Sequence, residues 1–322
     1  MIDFEYLQPS SIEDASKLNK NSASILYAGG TDVLGLMKDN IVYPEKIINL
    51  KKISNLNKIN IASNGTLRIG ALTKLSDIAN NGFISSNYKT LALAAAGVAT
   101  PQIRNMGTIG GNICQRPRCF YFRGDFDCLR KGGDECFAFD GHNKYHCIIG
   151  GGPCYIVHPS DTAVALLALD ASLNIYTGKE YKPVKLKDFF VLPEENSYKE
   201  NILNPGEIIT EIVIPPIGKN YYSNYIKVTE RGAWDFALVS VASVIGVSKN
   251  QIKSAKFAFG GIAPIPWMDE KFNSKANNLT LTENNINSFT NSLLTDAEPL
   301  EMNRYKLQLA RNLLRKTIEN II

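Results

Sequence analysis

The side chains best suited to chemistry in this sequence are gathered in one place. All six cysteines (Cys114, Cys119, Cys128, Cys136, Cys147 and Cys154) and all three histidines (His142, His146 and His158) fall between positions 114 and 158 of a 322-residue chain. Six cysteines scattered at random would share so short a window about once in a hundred thousand trials, which makes ligand clustering the reading to test. From Cys114 to Cys147 the segment is poor in aliphatic residues and rich in Gly, Arg, Asp and aromatic residues. Such a stretch has too little apolar periodicity to pack itself, and a metal core would hold it in place.

Two other segments offer backbone rather than side chains. Ala28-Gly29-Gly30-Thr31-Asp32 and Thr108-Ile109-Gly110-Gly111-Asn112 each set a glycine pair beside hydroxyl, amide or carboxylate groups. A pyrophosphate needs N–H groups with no side chain in the way, and paired glycines at the end of a strand permit that approach. Neither segment is the G-x-G-x-x-G turn of a nicotinamide-binding unit. A Gly-Gly pair is also an ordinary tight turn, so the two loops by themselves leave both readings open. A third pair, Gly151-Gly152, lies inside the cysteine window. No Ser-His-Asp or metal-hydrolase constellation and no carboxylate pair stands out, so no catalytic residue is assigned.

The elements that must position these residues read as follows. Ser11, with Asp14 three residues on, opens a short helix, and 24–27 is a strand that runs into the first glycine pair; a helix starts at Val33. Further strands are expected at 46–50 and 66–70, and helix over 74–99 with a break at Pro101. Beyond the cysteines, 161–169 reads as a buried helix, and 172–177 and 207–214 as strands. Pro215-Pro216 marks a domain boundary. The remainder shows strands at 223–229, 238–248 and 252–259, then two helices. The second of these carries the apolar stripe Leu307, Ala310, Leu314, Ile318 and Ile321.

Composition narrows the function classes. The length suits two or three modest domains. A formal charge of +4 is spread over 35 basic and 31 acidic residues with no basic run longer than two, so neither nucleic acid nor a membrane surface is an expected partner. No stretch approaches the ~20 apolar residues of a membrane span, and the N-terminus lacks a signal-peptide pattern, so a soluble, cytoplasmic protein is expected. In that compartment cysteines serve metals or redox work more often than structural disulfides.

Taken in order, the two glycine motifs resemble the two-loop FAD signature of the medium, flavin-binding subunits of the xanthine dehydrogenase and carbon monoxide dehydrogenase family. His158-Pro159-Ser160-Asp161 is similar to that family's next flavin-contacting segment, the stretch 227–235 holds Lys227 and Asp235, and Gly260-Gly261-Ile262-Ala263-Pro264 resembles its C-terminal motif. The resemblance implies an α+β chain. A PCMH-type FAD-binding domain over 1–217, with α/β subdomains at about 1–55 and 56–217, is followed by a smaller α+β domain over 218–322. It places Ala28, Gly29, Gly30, Thr31 and Asp32, with Thr108, Gly110, Gly111 and Asn112, on the pyrophosphate and ribityl chain. Asp161 would hydrogen-bond the polar arm of the flavin, and Lys227 would lie near its ring.

In most of that family the Asp segment follows Gly-Gly-Asn closely, whereas here 48 residues intervene. An insertion at about 114–157 resembles that of 4-hydroxybenzoyl-CoA reductase and certain aldehyde oxidoreductases, which implies a [4Fe–4S] cluster. Cys114 then reads as a small buried hydrophobe, where the family has an apolar residue, and Cys147, ahead of Ile148-Ile149, as part of a buried strand. That leaves Cys119, Cys128, Cys136 and Cys154 as the ligands, with Cys147 the alternative to Cys154. The absence of any C-x-x-C pair disfavours zinc. The implied function is FAD and [4Fe–4S] electron transfer in a heterotrimeric assembly. Its partners would be a molybdenum-cofactor large subunit, a [2Fe–2S] small subunit and an external electron donor or acceptor. The alternatives are a self-contained FAD-dependent oxidoreductase and a zinc-stabilised binding module.

Overall fold

Three sheets carry the chain in a computed structural model that describes residues 2–21, 23–218 and 220–321; Met1, Ser22, Lys219 and Ile322 lie outside the described residues. In the first sheet, strand Lys46–Asn49 lies parallel between Glu5–Leu7 and Ser24–Tyr27. The connecting helix Ile12–Leu18 starts where Ser11 accepts the Asp14 amide, as its spacing predicts. Ala15, Ile48 and Leu50 form a small core beneath it.

The second sheet is antiparallel, in the order Ile59–Ile61, Leu67–Gly70, Ile208–Ile214, Ser172–Tyr176, Tyr181–Lys185. Against it packs helix Asp161–Ala168, all eight residues of which are buried. An α-helix that is apolar all round must be enclosed, and this one is. Its far side meets the third sheet, where Ala242 and Ala258 join the same core. Gly260 allows that approach, because a Cβ there would come 2.9 Å from Val164. The third sheet pairs Val239–Ser248 with Tyr221–Val228 and Gln251–Gly260. Helix Tyr305–Glu319 covers it with Ala310, Leu314 and Ile318.

Several expectations need correction. The helical run over 74–99 is three helices, Leu75–Ala79, Gly82–Asn87 and Lys89–Ala96, interrupted because Asn81 turns to cap the second by accepting the Ile84 amide. Pro101 opens helix Pro101–Met106, with Thr100 as its cap, and does not end one; at the first helical position its missing N–H costs nothing. The C-terminal region has three helices, not two, because Asp269 caps the short Glu270–Ser274. Cys147 lies outside any strand, in a buried bend whose amide donates to Tyr155.

The cysteine-rich insertion also packs more than its composition suggested. Phe122 is buried against Leu36 and Cys128, and Tyr121 meets Phe126 and Phe137 with centroids 5.0 and 6.0 Å away. Aromatic rings supply the area that aliphatic residues do not. Lys306, fully buried on the C-terminal helix, clamps the segment by donating to the carbonyls of Tyr145, His146 and Gly261.

Candidate cofactor sites

The two glycine motifs meet in space. A Cβ on Gly29 would sit 2.2 Å from the Met106 carbonyl oxygen, so the first motif lies directly on the backbone that leads into the second. Gly30 has φ +74°, a left-handed conformation that glycine alone adopts cheaply. The second motif is not a loop but a one-turn helix, Ile109–Ile113, capped by Thr108, whose hydroxyl accepts the Gly111 amide. Gly110 presses on Ala71, where a Cβ would come 2.9 Å from its side chain, and gives its N–H to the Ala71 carbonyl. Gly111 is different, since its missing side chain faces the cleft.

That cleft has two connected parts. The larger, of about 520 Å³, is lined by residues 28–32, Gly110, Gly111, Glu200 and the 203–209 segment. The smaller, of about 220 Å³, shares Thr31, Asp32, Thr108 and Gly111 with it and extends to Asn112, Asp161 and Lys227. Among the described residues, the amides of residues 29–32 donate to no protein acceptor, whereas those of Ile109, Gly110 and Gly111 are used within the protein. The first motif therefore offers the open N–H groups an anionic diphosphate would need.

Four of the six cysteines surround a single narrow cavity. Cys119, Cys128, Cys136 and Cys154 line it together with Arg130, His146 and aromatic side chains, while Cys114 and Cys147 do not. The sulfurs are electrostatically linked. Cys136 and Cys154 share a hydrogen bond that lowers the Cys154 thiol and raises the Cys136 thiol, and Arg130 adds to the lowering. Burial pushes Cys119 up to about 11, and His146 Nε2 lies 3.2 Å from its sulfur. Among the described residues no three potential ligands converge as a single ion requires. Cys114 packs against the main core, where burial raises its thiol, and it is half-buried because it also lines the larger cleft.

Two comparisons decide the relationship. Residues 2–217 match the family described as the FAD binding domain in molybdopterin dehydrogenase, and residues 224–321 match the CO dehydrogenase flavoprotein C-terminal domain. The chain belongs to the FAD-binding subunits of molybdopterin dehydrogenases. As such a flavoprotein, an oxidoreductase subunit, it is 34% identical over 293 residues to the aldehyde oxidoreductase FAD-binding subunit PaoB of Escherichia coli K12, covering 89% of this chain and 88% of that one. It is 29% identical over 266 residues to the glyceraldehyde dehydrogenase medium chain of Sulfolobus acidocaldarius, covering 82% and 78%. The carbon monoxide dehydrogenase of Hydrogenophaga pseudoflava shares its fold, with a TM-score of 0.77 at 23% identity over 98% of this chain and 96% of that one. The α+β architecture, an FAD-binding domain followed by a flavoprotein C-terminal domain, agrees with that expected from the sequence. No helix among the described residues is long and apolar enough to cross a membrane.

In this FAD subunit the acidic residues expected at the flavin are engaged with protein partners. Asp161, at the first turn of its buried helix, accepts from Tyr225 Oη at 2.6 Å and Lys227 Nζ at 2.7 Å. Burial raises its carboxyl against the pull of Lys227. Lys227 also donates to the Gly97 carbonyl, so Asp161 and Lys227 come together as one pair on the wall of the smaller cavity. Asn112 Oδ1 accepts from Ser160 and Thr162, which ties the second motif to the start of that helix.

Asp32 faces the insertion. It accepts from the Arg116 amide, from Arg118 and from Arg123 Nη2 at 2.8 Å. Burial alone would raise its carboxyl, and Arg118 and Arg123 outweigh it and hold the group below the usual range. Two site residues left no trace in the sequence reading: Arg130 and Glu200 pair at 2.6 Å, with Glu200 on the larger cleft and Arg130 on the cysteine cavity. They lie 70 positions apart in no motif. Only burial of opposite charges in the folded chain reveals them.

Proposed function

We propose that this chain is the electron-transfer subunit of a multi-subunit molybdenum-containing hydroxylase, dehydrogenase or reductase, and that it carries a [4Fe–4S] cluster beside its FAD. One observation carries the reading: four cysteines line one cavity with Arg130, and Arg130 pairs with Glu200, which lines the larger cleft. FAD accepts electrons in pairs and releases them singly while a cluster passes one at a time, so a chain with both converts between the two.

The protein's part is binding and orientation. The amides of Gly29 to Asp32 would hold the pyrophosphate, with Ala28 leading in from the strand. Gly110 lets the capped helix sit close, and Gly111 leaves room for the cofactor, with Thr108 and Asn112 fixing the turn on which it lies. Asp161 and Lys227 would present a polar wall at the flavin end. Cys119, Cys128, Cys136 and Cys154 would supply the four thiolates. The donor set suits that group: all four thiols line one space, and beside them the buried Arg130 favours the thiolate of Cys154.

Substrate turnover would take place on a molybdenum-cofactor large subunit, with a [2Fe–2S] small subunit relaying electrons to or from this chain and an external donor or acceptor completing the circuit. Membership in the FAD-binding subunits of molybdopterin dehydrogenases supports this reading. The test is anaerobic mixing of substrate with the co-purified complex while flavin and cluster absorbance are followed. Bleaching of both in the complex, with no turnover by the isolated chain, is the expected result. Substrate turnover by the chain alone would favour a self-contained flavoenzyme.

A further inference from the structure

We propose that Arg130 tunes the reduction potential of the iron–sulfur cluster, and that Glu200 positions its guanidinium from the wall of the larger cleft. The inference rests on the cluster reading above and deepens it.

The Arg130 side chain is 1% exposed and Glu200 is 7% exposed. Arg130 Nη1 donates to Glu200 Oε1 at 2.6 Å and, more weakly, to the Lys199 carbonyl at 3.4 Å. Its Nε and Nη2 are buried without a hydrogen bond of good geometry, and the guanidinium reaches toward the Cys154 thiol, whose ionisation it favours. A buried guanidinium with two of its three nitrogens so placed is costly unless an anion meets them. Glu200 is committed elsewhere as well, since its second oxygen pairs with Arg116 at 3.0 Å. The sulfurs of Cys119, Cys128, Cys136 and Cys154 share a cavity with Arg130, alongside His146 and Tyr121; of these, Cys154 is the one whose thiol Arg130 shifts.

The electrostatics then have a definite sign. Four thiolates make the cluster anionic, and each added electron makes it more so. A cation and N–H donors at the sulfurs favour the reduced form and raise the potential. Glu200, one guanidinium further off, opposes that effect while holding Arg130 in place. The ion pair reaches from one cavity to the other, so the charge that poises the cluster is anchored by a residue on the wall of the larger cleft.

The test is a potentiometric titration of the cluster, read by its EPR signal, on full-length protein purified anaerobically with iron counted in every sample. Arg130→Gln is expected to lower the ratio of reduced to oxidised cluster at fixed potential at least tenfold, about 59 mV for a one-electron couple. Arg130→Lys keeps the charge without the planar fork and is expected to shift the same way by less than half as much. Glu200→Gln is expected to shift it the opposite way. An unchanged potential in Arg130→Gln with its iron intact, or shifts of the same sign in Arg130 and Glu200 variants, overturns the role. If Arg130→Gln loses its iron, Arg130→Lys and Glu200→Gln decide by their opposite signs. Wild-type protein without iron would instead remove the cluster reading itself.

Discussion

Replacing Asp32 with Asn would remove one charge from the junction between the first glycine motif and the insertion. The carboxylate is 17% exposed and accepts from two arginine side chains and one backbone amide. Breaking a buried pair by removing one partner costs about 3–5 kcal/mol. Asn keeps a neutral acceptor and some solvent reaches the site, so the low end, about 3 kcal/mol, applies here. At about 1.4 kcal/mol per factor of ten, local opening of the segment should rise roughly 150-fold. Because the folded carboxyl lies below its usual 3.8, the pairing contributes fully above that pH and is lost only as pH falls through the lower folded value. Neutral conditions therefore report the whole effect. Hydrogen exchange read by mass spectrometry should show faster exchange across 116–123, with the C-terminal helix 305–319 unchanged, and lower contents of FAD and iron. Equal acceleration in both segments, or none in either, would refute the reasoning.

Other variants separate the two sites. Cys136→Ala should lose iron and keep FAD, while Cys114→Ala keeps both; iron persisting in the first would break the ligand set. Gly111→Val should empty the flavin site at a cost in stability of about 1 kcal/mol, that of a disturbed cap, because a Cβ there meets Thr108 Oγ1 at 3.0 Å and no backbone. Unchanged flavin content would take that glycine out of the site. His158 is buried with its imidazole lowered to about 3 by desolvation, against 6.5 in the open. The unfolded state then binds the extra proton as pH falls below 6.5, so stability declines on acidification by about 1.4 kcal/mol per pH unit from this group. Urea unfolding of His158→Gln between about pH 6 and 5 should show a slope smaller by roughly that amount, and an equal slope would contradict it.

How far the sequence reached depended on whether the signal was local. Strand Ser24–Tyr27 and helix Asp161–Ala168 could be read because period, caps and apolar content agree along a few residues. Strand Tyr181–Lys185 could not, since it is an exposed edge with Pro183 and lysines in place of an apolar face. At the site, the resemblance and the neighbours of each cysteine pointed to four sulfurs that line one cavity, although Cys147 was set aside for a strand that the fold does not have there. The glycine pairs were visible too, but not that Gly29 and Gly110 serve close packing while Gly111 faces the cleft. Asp32 looked like a cofactor contact, and its arginine partners lie more than 80 positions away. Long-range charge pairing of this kind has no periodicity to betray it.

Metal and flavin analysis of anaerobically purified protein tests the central claim most directly. About one FAD and about four irons per chain, with an EPR signal appearing on reduction, is the result expected. Full flavin with no iron, or zinc in its place, would contradict it.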